Sequence, residues 1–193
     1  MSKLYTGMGD GGTTSFFDSK DRYPKSSMRV EVLGALDEMN SCIGLAKVKC
    51  KDLRVASESC DTTFVKILED VQQNIFTVQA EIAGADKHLK DSKIKEVEAV
   101  IDSIAEILPP VAEFRLSGGV EASAELDIAR TITRKAERRF ASYLHDTKMM
   151  GLEKGKPTMI SMAYLNRLSS LFYALARYAN YLSGIEEDSP RYN

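Results

Sequence analysis

The 193-residue chain has only two histidines, His88 and His145, and three cysteines, Cys42, Cys50 and Cys60. The histidines show no metal-ligand spacing, and the cysteines form neither a C-x-x-C pair nor an even set. Free thiols in a reducing compartment are therefore expected, not a secreted disulfide scaffold. No Ser-His-Asp set is present, so the sequence offers no ready nucleophile for covalent catalysis. A formal net charge of −2 supplies no global attraction for nucleic acid or an anionic membrane. Any anion site must be local. No apolar run approaches the roughly 18 residues of a membrane span, and Met1 to Lys20 has no signal-peptide core, which makes cytoplasmic the expected location. Strand-like alternation is also scarce: outside Lys3 to Phe17, no strand-period run exceeds about four residues. Internal repeats and low-complexity tracts are missing as well.

What fills the chain is helical periodicity. Val32, Leu36, Met39, Ile43 and Ala46 recur at three- and four-residue steps in a segment spanning about 29–47. Val65, Leu68, Gln72, Ile75 and Gln79 do the same over about 62–84. A third segment, about 92–108, is stopped by Pro109-Pro110, and a fourth covers about 122–144. The fifth runs from about 158, after Pro157, to about 182, where Ser183-Gly184 is a stop signal. A Gly- and Lys-rich loop, 149–156, separates the last two. The connections are short, so the expected fold is all-α: one domain, 1–193, built as a five-helix bundle with antiparallel neighbours. Its parts are a Gly-rich N-terminal loop (1–27), the bundle (28–183) and a tail (184–193).

The loop carries TGMGDGGTTSFF, with four glycines and four hydroxyl-bearing residues between Thr6 and Phe17. Gly7, Gly9 and Gly12 satisfy the G-x-G-x-x-G dinucleotide fingerprint, but only five residues precede Gly7, too few for the buried strand that a Rossmann turn needs. The match is coincidental. Unshielded backbone N–H groups with Thr6, Thr13, Thr14 and Ser15 beside them still suit an anion, while Gly-Asp-Gly-Gly is equally ordinary turn chemistry.

The fourth segment, LDIARTITRKAERRF, is the most informative. At about 100° per residue, Arg130, Arg134, Glu137 and Arg138 fall within roughly one 100° arc, with Ile128, Ala129, Ile132, Ala136 and Phe140 assigned to a core face opposite. A guanidinium ladder suits phosphate because each planar fork donates two hydrogen bonds and keeps its charge, although a solvated face would look the same. The fifth segment places Asn166 and Arg177 on one side, near Ser170 and Tyr173, where a buried polar group needs partners. In the first, Asp37 and Glu38 sit near the core edge, with an arginine of the fourth as the natural partner.

Five motifs in order then resemble one family over nearly the whole chain: YTGMGDGG, LDEMNS, FRLSGG, ARTITRKAERR and the final LNRLS…LF…ARY. The chain is identified by them as similar to the PduO-type ATP:cob(I)alamin adenosyltransferases. The resemblance implies an enzyme, a homotrimer of five-helix bundles with active sites between subunits, that moves the 5′-deoxyadenosyl group of ATP to the cobalt of cob(I)alamin and releases triphosphate. It implies that Thr6, Gly7, Met8, Gly9, Asp10, Thr14, Ser15 and Lys25 wrap ATP, the loop ordering only around it. Arg134, Lys135, Glu137, Arg138 and Asn166 complete that site around a Mg2+-bound triphosphate. Asp37 is implied to pair with Arg130 across the interface, and Phe114 to wall the lower face of the corrin. Further implied partners are a flavin reductant and an adenosylcobalamin-dependent enzyme.

The sequence departs from the family pattern at four places. Ser170 stands where an acidic residue is common, Gly7-Met8 replaces a more polar pair, Ser117 replaces a frequent proline, and Lys135 a frequent arginine. Two other function classes fit parts of the pattern: an ATP-dependent phosphotransferase, which would release ADP, and a non-catalytic ATP- and corrinoid-binding chaperone or sensor, which would bind both without turnover.

Overall fold

The computed structural model of the protein describes residues 4–110, 113–149 and 159–192. Its elements are β1 (Thr13–Thr14), β2 (Tyr23–Pro24), α1 (Met28–Lys49), β3 (Arg54–Ala56), β4 (Asp61–Thr63), α2 (Phe64–Ile82), α3 (Ser92–Ala105), α4 (Glu121–Met149) and α5 (Met159–Leu182). The expected five-helix, all-α architecture is the one observed. Of the Gly- and Lys-rich loop expected at 149–156, Met149 belongs to α4 and the remainder falls outside the described residues.

Ion pairs and hydrogen bonds fix the register. Glu31 faces Arg139 at 4.0 Å, Glu38 meets Lys135 at 2.6 Å and Lys49 meets Glu121 at 2.6 Å, so α1 and α4 run antiparallel. Asn166 donates to Glu137 just past the middle of α4 and Asn180 accepts from Val120 immediately before its start, which makes α5 antiparallel to α4. Against α1, α2 is held by Gln72 Nε2 donating to Asn40 O (3.1 Å) and by Arg29 Nε donating to Ile82 O (2.8 Å).

The predicted stripe of α1 is fully buried, from Val32 through Leu36, Met39 and Ile43 to Ala46. That of α2 is displaced: Phe64, Ile67, Leu68, Val71, Ile75, Val78 and Ile82 are buried, whereas Val65, Gln72 and Gln79 lie at its edge. Gln72 stays at the boundary because its oxygen accepts from Lys47 Nζ at 2.8 Å. In α4 the core arc is Leu126, Ala129, Thr133, Ala136, Phe140 and Tyr143. Ile128, expected on that face, is exposed instead, since the core arc adjoins the arginine arc and leaves Ile128 beyond its edge. Helix α4 also continues to Met149, beyond the expected end near residue 144, and α3 stops at Ala105, before residue 108.

Two short hairpins, with strands of two and three residues, accompany the helices. In the second, Arg54 pairs with Thr63, Val55 with Thr62 and Ala56 with Asp61. Only Val55 of its strand β3 is buried, so the alternation is too short to register as a pattern. Thr63 then caps α2, its hydroxyl accepting from Lys66 N at 3.2 Å. The first hairpin, β1 with β2, belongs to the N-terminal segment, which docks on the end of α2: Phe17 N donates to Ala83 O, and Asp18 pairs with Arg29 at 2.7 Å. Arg29 also stacks over Phe16 at 4.0 Å.

The thiols are free, as expected. Burial, aided by the nearby Glu125 charge, pushes the Cys50 thiol up to about 12, so it is inert at neutral pH. His88 is tied to the buried Glu81 carboxylate, 3.0 Å from Nδ1, with Asp86 at 3.4 Å from Nε2. The hydrogen bond to Glu81 raises the His88 pKa above its ordinary 6.5. The charged imidazole thus stabilises the fold at pH below that ordinary value, and the contribution is lost as pH rises through the raised folded one. His88→Gln should lower the thermal midpoint at about pH 5.5 and leave it unchanged at about pH 9; an equal loss at both values, followed by circular dichroism, would show that the charge contributes nothing.

Candidate functional site

Helix α4 turns its cations toward two different neighbours. On the α1 side, Lys135 and Arg139 meet the carboxylates Glu38 and Glu31. On the α5 side, Arg134 and Arg138 make no ion pair among the described residues, and both line a cavity of about 290 Å³ with Glu137, Ala141, Met162 and Asn166. Asn166 Nδ2 donates to Glu137 Oε1 at 2.7 Å, so the one carboxylate there is already oriented by α5. Two unpaired guanidiniums beside a single engaged carboxylate make a strongly anion-attracting wall.

Arg134 also belongs to a second, larger cavity of about 610 Å³, lined by Arg130 from α4, by Ser169, Ser170 and Tyr173 from α5, and by Glu113, Phe114 and Arg115 from the turn ahead of α4. Phe114 is 79% exposed, an apolar ring presented to this cavity and not to the core. The two cavities adjoin at Arg134. One is small and cationic; the other is roomy, with aromatic walls.

The turn carrying Phe114 is built by its neighbours. Gly118 N donates to Asp127 Oδ2 (3.3 Å), whose other oxygen accepts from Arg130 Nε at 3.0 Å. Buried Asn180 donates to Gly118 O (2.9 Å) and accepts from Val120 N (3.0 Å). Gly119, at φ +103°, leaves no room for a Cβ against the Asn180 amide. Gly118 answers to a conformational demand alone, at φ +123°, and Gly119 to a steric one as well.

The N-terminal loop stands apart. Arg22 closes it, donating through Nη2 to Met8 O and Thr13 O and through Nε to Thr13 Oγ1. Asp10 N donates to Gly7 O, Gly12 N to Gly9 O, and Met8 N to Thr6 Oγ1. A Cβ on Gly9 would lie 3.0 Å from Lys25 Nζ, so the ammonium sits directly over the glycine backbone. The turns of the loop are closed by the chain's own groups, with Arg22 supplying donors for the carbonyls of Met8 and Thr13.

Of the expected site residues, the structure brings Arg134, Glu137, Arg138 and Asn166 together, and Phe114 with Arg130 and Arg134. It does not bring Lys135 to them: its ammonium lies on Glu38, about 100° around the helix from Arg134. Arg130 is paired within its own chain to Asp127, and Asp37 is exposed with no ion pair among the described residues. Thr6, Gly7, Met8, Gly9, Asp10, Thr14, Ser15 and Lys25 line neither cavity. Sequence reasoning missed Arg22, Asp127 and Asn180. A lone Asn in the apolar run of α5 was a usable signal for Asn180; nothing local distinguishes Arg22.

Known proteins share this architecture. The family model described as cobalamin adenosyltransferase matches residues 4–179. A corrinoid adenosyltransferase of Bacillus subtilis is 38% identical, over 95% of this chain and 89% of that protein. The corrinoid adenosyltransferase PduO of Salmonella typhimurium is 34% identical over 98% of this chain and 54% of its own length, so the chain spans about half of that relative. A variant PduO-type ATP:corrinoid adenosyltransferase from Lactobacillus reuteri, solved in complex with cobalamin and ATP, superposes with a TM-score of 0.80 at 31% identity, covering 98% of this chain and 100% of that one.

The Gly119 geometry yields a stability test. Gly119→Ala forces a left-handed backbone on a residue with a Cβ and drives that Cβ into Asn180, so unfolding should be easier by about 2 kcal/mol or more. A wild-type midpoint in urea would show that the turn can relax around the methyl group.

Proposed function

Because the chain belongs to the cobalamin adenosyltransferase family, we propose that it transfers the 5′-deoxyadenosyl group of ATP to the cobalt of cob(I)alamin, giving adenosylcobalamin and triphosphate. The observation that carries this reading is the pair of adjoining cavities that share Arg134. One fits an anionic chain and the other a large ring with an apolar face.

The chemistry asks for positioning and charge stabilisation. Cobalt(I) is the nucleophile: its electron pair forms the bond to ribose C5′, the C5′–O bond breaks, and the departing electrons leave with the triphosphate as cobalt becomes Co(III). No side chain has to accept a proton or form a covalent intermediate. That agrees with a site that has cations and amides but no histidine. Arg134 and Arg138 would stabilise charge accumulating on the leaving triphosphate, and Asn166 with Glu137 would orient the nucleoside. Phe114 would exclude a donor from the lower face of the corrin, which eases reduction of Co(II) to Co(I) by a flavin or similar reductant.

Mg2+ fits this site through the phosphates. No cluster of three or more His, Cys, Asp or Glu side chains is present among the described residues, and the smaller cavity offers only Glu137. The ion would hold triphosphate oxygens and neutralise part of their charge, while Arg134 and Arg138 would donate to the remaining phosphate oxygens.

The incompleteness of the single chain supports the homotrimer that the family resemblance implies. The loop residues Thr6 to Ser15 and Lys25 make no hydrogen bond or ion pair to Arg134, Arg138 or Asn166. A neighbouring copy would supply them. Asp37 is exposed on α1 and available to the Arg130 of another chain, and Leu45, Val48 and Ile128 present apolar surface to bury in the contact. No helix of the described residues is long and apolar enough to cross a membrane. A cytoplasmic setting and delivery of product to an adenosylcobalamin-dependent enzyme belong to the same proposal.

Incubated anaerobically with Mg-ATP and chemically reduced cobalamin, the protein should give a light-sensitive alkylcobalamin and triphosphate; release of ADP, or no product, defeats the assignment. Arg134→Ala should lower kcat about 10²- to 10³-fold, whereas Arg139→Ala, on the α1 side, should stay within about twofold of wild type. Equal effects would mean that the functional face of α4 is misassigned. Sedimentation should report three times the chain mass, and a monomer at working concentrations rules out a site completed by a neighbouring copy.

A further inference from the structure

Arg177 lies on the face of α5 that carries Asn166, Ser170 and Tyr173, yet it lines neither cavity. Its side chain is 11% exposed and sits 2.6 Å from Glu187, itself 13% exposed. Neither Arg177 Nε nor Nη1 has a hydrogen bond of good geometry among the described residues, and Glu187, in close ion-pair contact with Nη1, is the one carboxylate paired with Arg177 there. The Arg177 guanidinium carbon also lies 5.7 Å from the centroid of the Tyr173 ring, a wall of the larger cavity.

The second Glu187 oxygen faces the opposite wall. It accepts from Asn180 Nδ2 at 2.9 Å, and the same amide nitrogen donates to Gly118 O at 2.9 Å. Both hydrogens of that amide are thereby committed, one to the tail and one to the turn. The backbone around Glu187 continues the attachment. Glu187 O accepts from Arg115 Nη1 (3.1 Å), Ser189 Oγ accepts from the same nitrogen (2.9 Å), and Asp188 O accepts from Leu116 N (2.8 Å). Phe114 is largely exposed, so packing on its ring does not place it; the adjacent backbone does.

We propose that Glu187 is a positioning residue for the corrinoid half of the site. It holds the Phe114 turn and the Tyr173 wall at a set separation from a tail that is otherwise irregular chain. This rests on the proposed function for its ligand, but the clamp itself is a property of the free protein. Removing the carboxylate unties the tail from Asn180, leaving it held to the turn only through Ser189 and the Glu187 and Asp188 backbone, and strands the Arg177 cation on the other side. The ladder residues Arg138 and Asn166 make no hydrogen bond or ion pair with the tail among the described residues, so the effect should be confined to the corrinoid side.

Glu187→Ala, Glu187→Gln and the double variant Arg177→Met/Glu187→Ala separate the possibilities, the double variant removing the stranded cation in case the first fails to fold. Without ligands, the amides of 116–120 should exchange hydrogen faster in both alanine variants than in wild type. In turnover, KM for cob(I)alamin should rise about tenfold or more while KM for ATP stays within about twofold, with Glu187→Gln intermediate because it retains an acceptor for Asn180. Unchanged exchange at 116–120 overturns the clamp. A parallel rise in both KM values, or a lowered midpoint with both KM values intact, shows a merely structural role. If wild type itself makes no alkylcobalamin, the proposed function falls, and the exchange measurement still decides the clamp.

Discussion

Helix α4 has to pack against α1 on one flank and α5 on the other while carrying a run of cations. It can do so because its buried arc is narrow, with Ala129, Thr133 and Ala136 between the larger Leu126 and Phe140. Small residues let the neighbouring helices approach, and the charged positions are forced to the two flanks. The flanks are treated differently. Glu31, Glu38 and Lys49 of α1 meet Arg139, Lys135 and Glu121, which neutralises that side. Toward α5, Asp127 is taken up by Arg130, and the one carboxylate in the smaller cavity, Glu137, is committed to Asn166, which leaves Arg134 and Arg138 without an ion pair among the described residues. Uncompensated charge is thus concentrated where the cavities lie.

This asymmetry suits a reaction in which the substrate itself brings the nucleophile. The protein's share is to collect an anion at Arg134 and Arg138 and to present an apolar ring, Phe114, to a large planar partner. Binding energy at two adjoining pockets becomes alignment of the two reactants, with the shared Arg134 at the meeting point. The rest of the chain serves placement: Asp127 ties Arg130 to the turn, and Asn180 closes that turn from behind.

Most helices were legible because their apolar positions recur with the helical period and tertiary packing agrees with it. The α1 stripe is the clearest instance. In α2 the glutamines fall on the helical period of the stripe without belonging to the core, because a long polar side chain at a helix boundary can satisfy itself on a neighbour, as Gln72 does on Asn40 and Lys47. Ile128 was misplaced for a related reason. Hydrophobicity alone does not say where a helix face ends when core and cation arcs adjoin. The β3–β4 hairpin was invisible because three residues per strand do not make a period.

By itself the sequence determined the helix count, the arginine ladder, the Phe-bearing Gly-Gly turn and the family resemblance, all of which are local patterns. Only the tertiary structure decided which cations stay unpaired, since that depends on which acids the antiparallel partners bring opposite: Lys135 is silenced by Glu38 from a distant part of the chain, and Arg134 is not. It likewise decided that Arg22 shapes the N-terminal loop, and that the tail reaches back through Glu187 to the turn before α4. Charge compensation and close packing are pairwise properties of residues far apart in sequence, so they come into existence only when the helices meet.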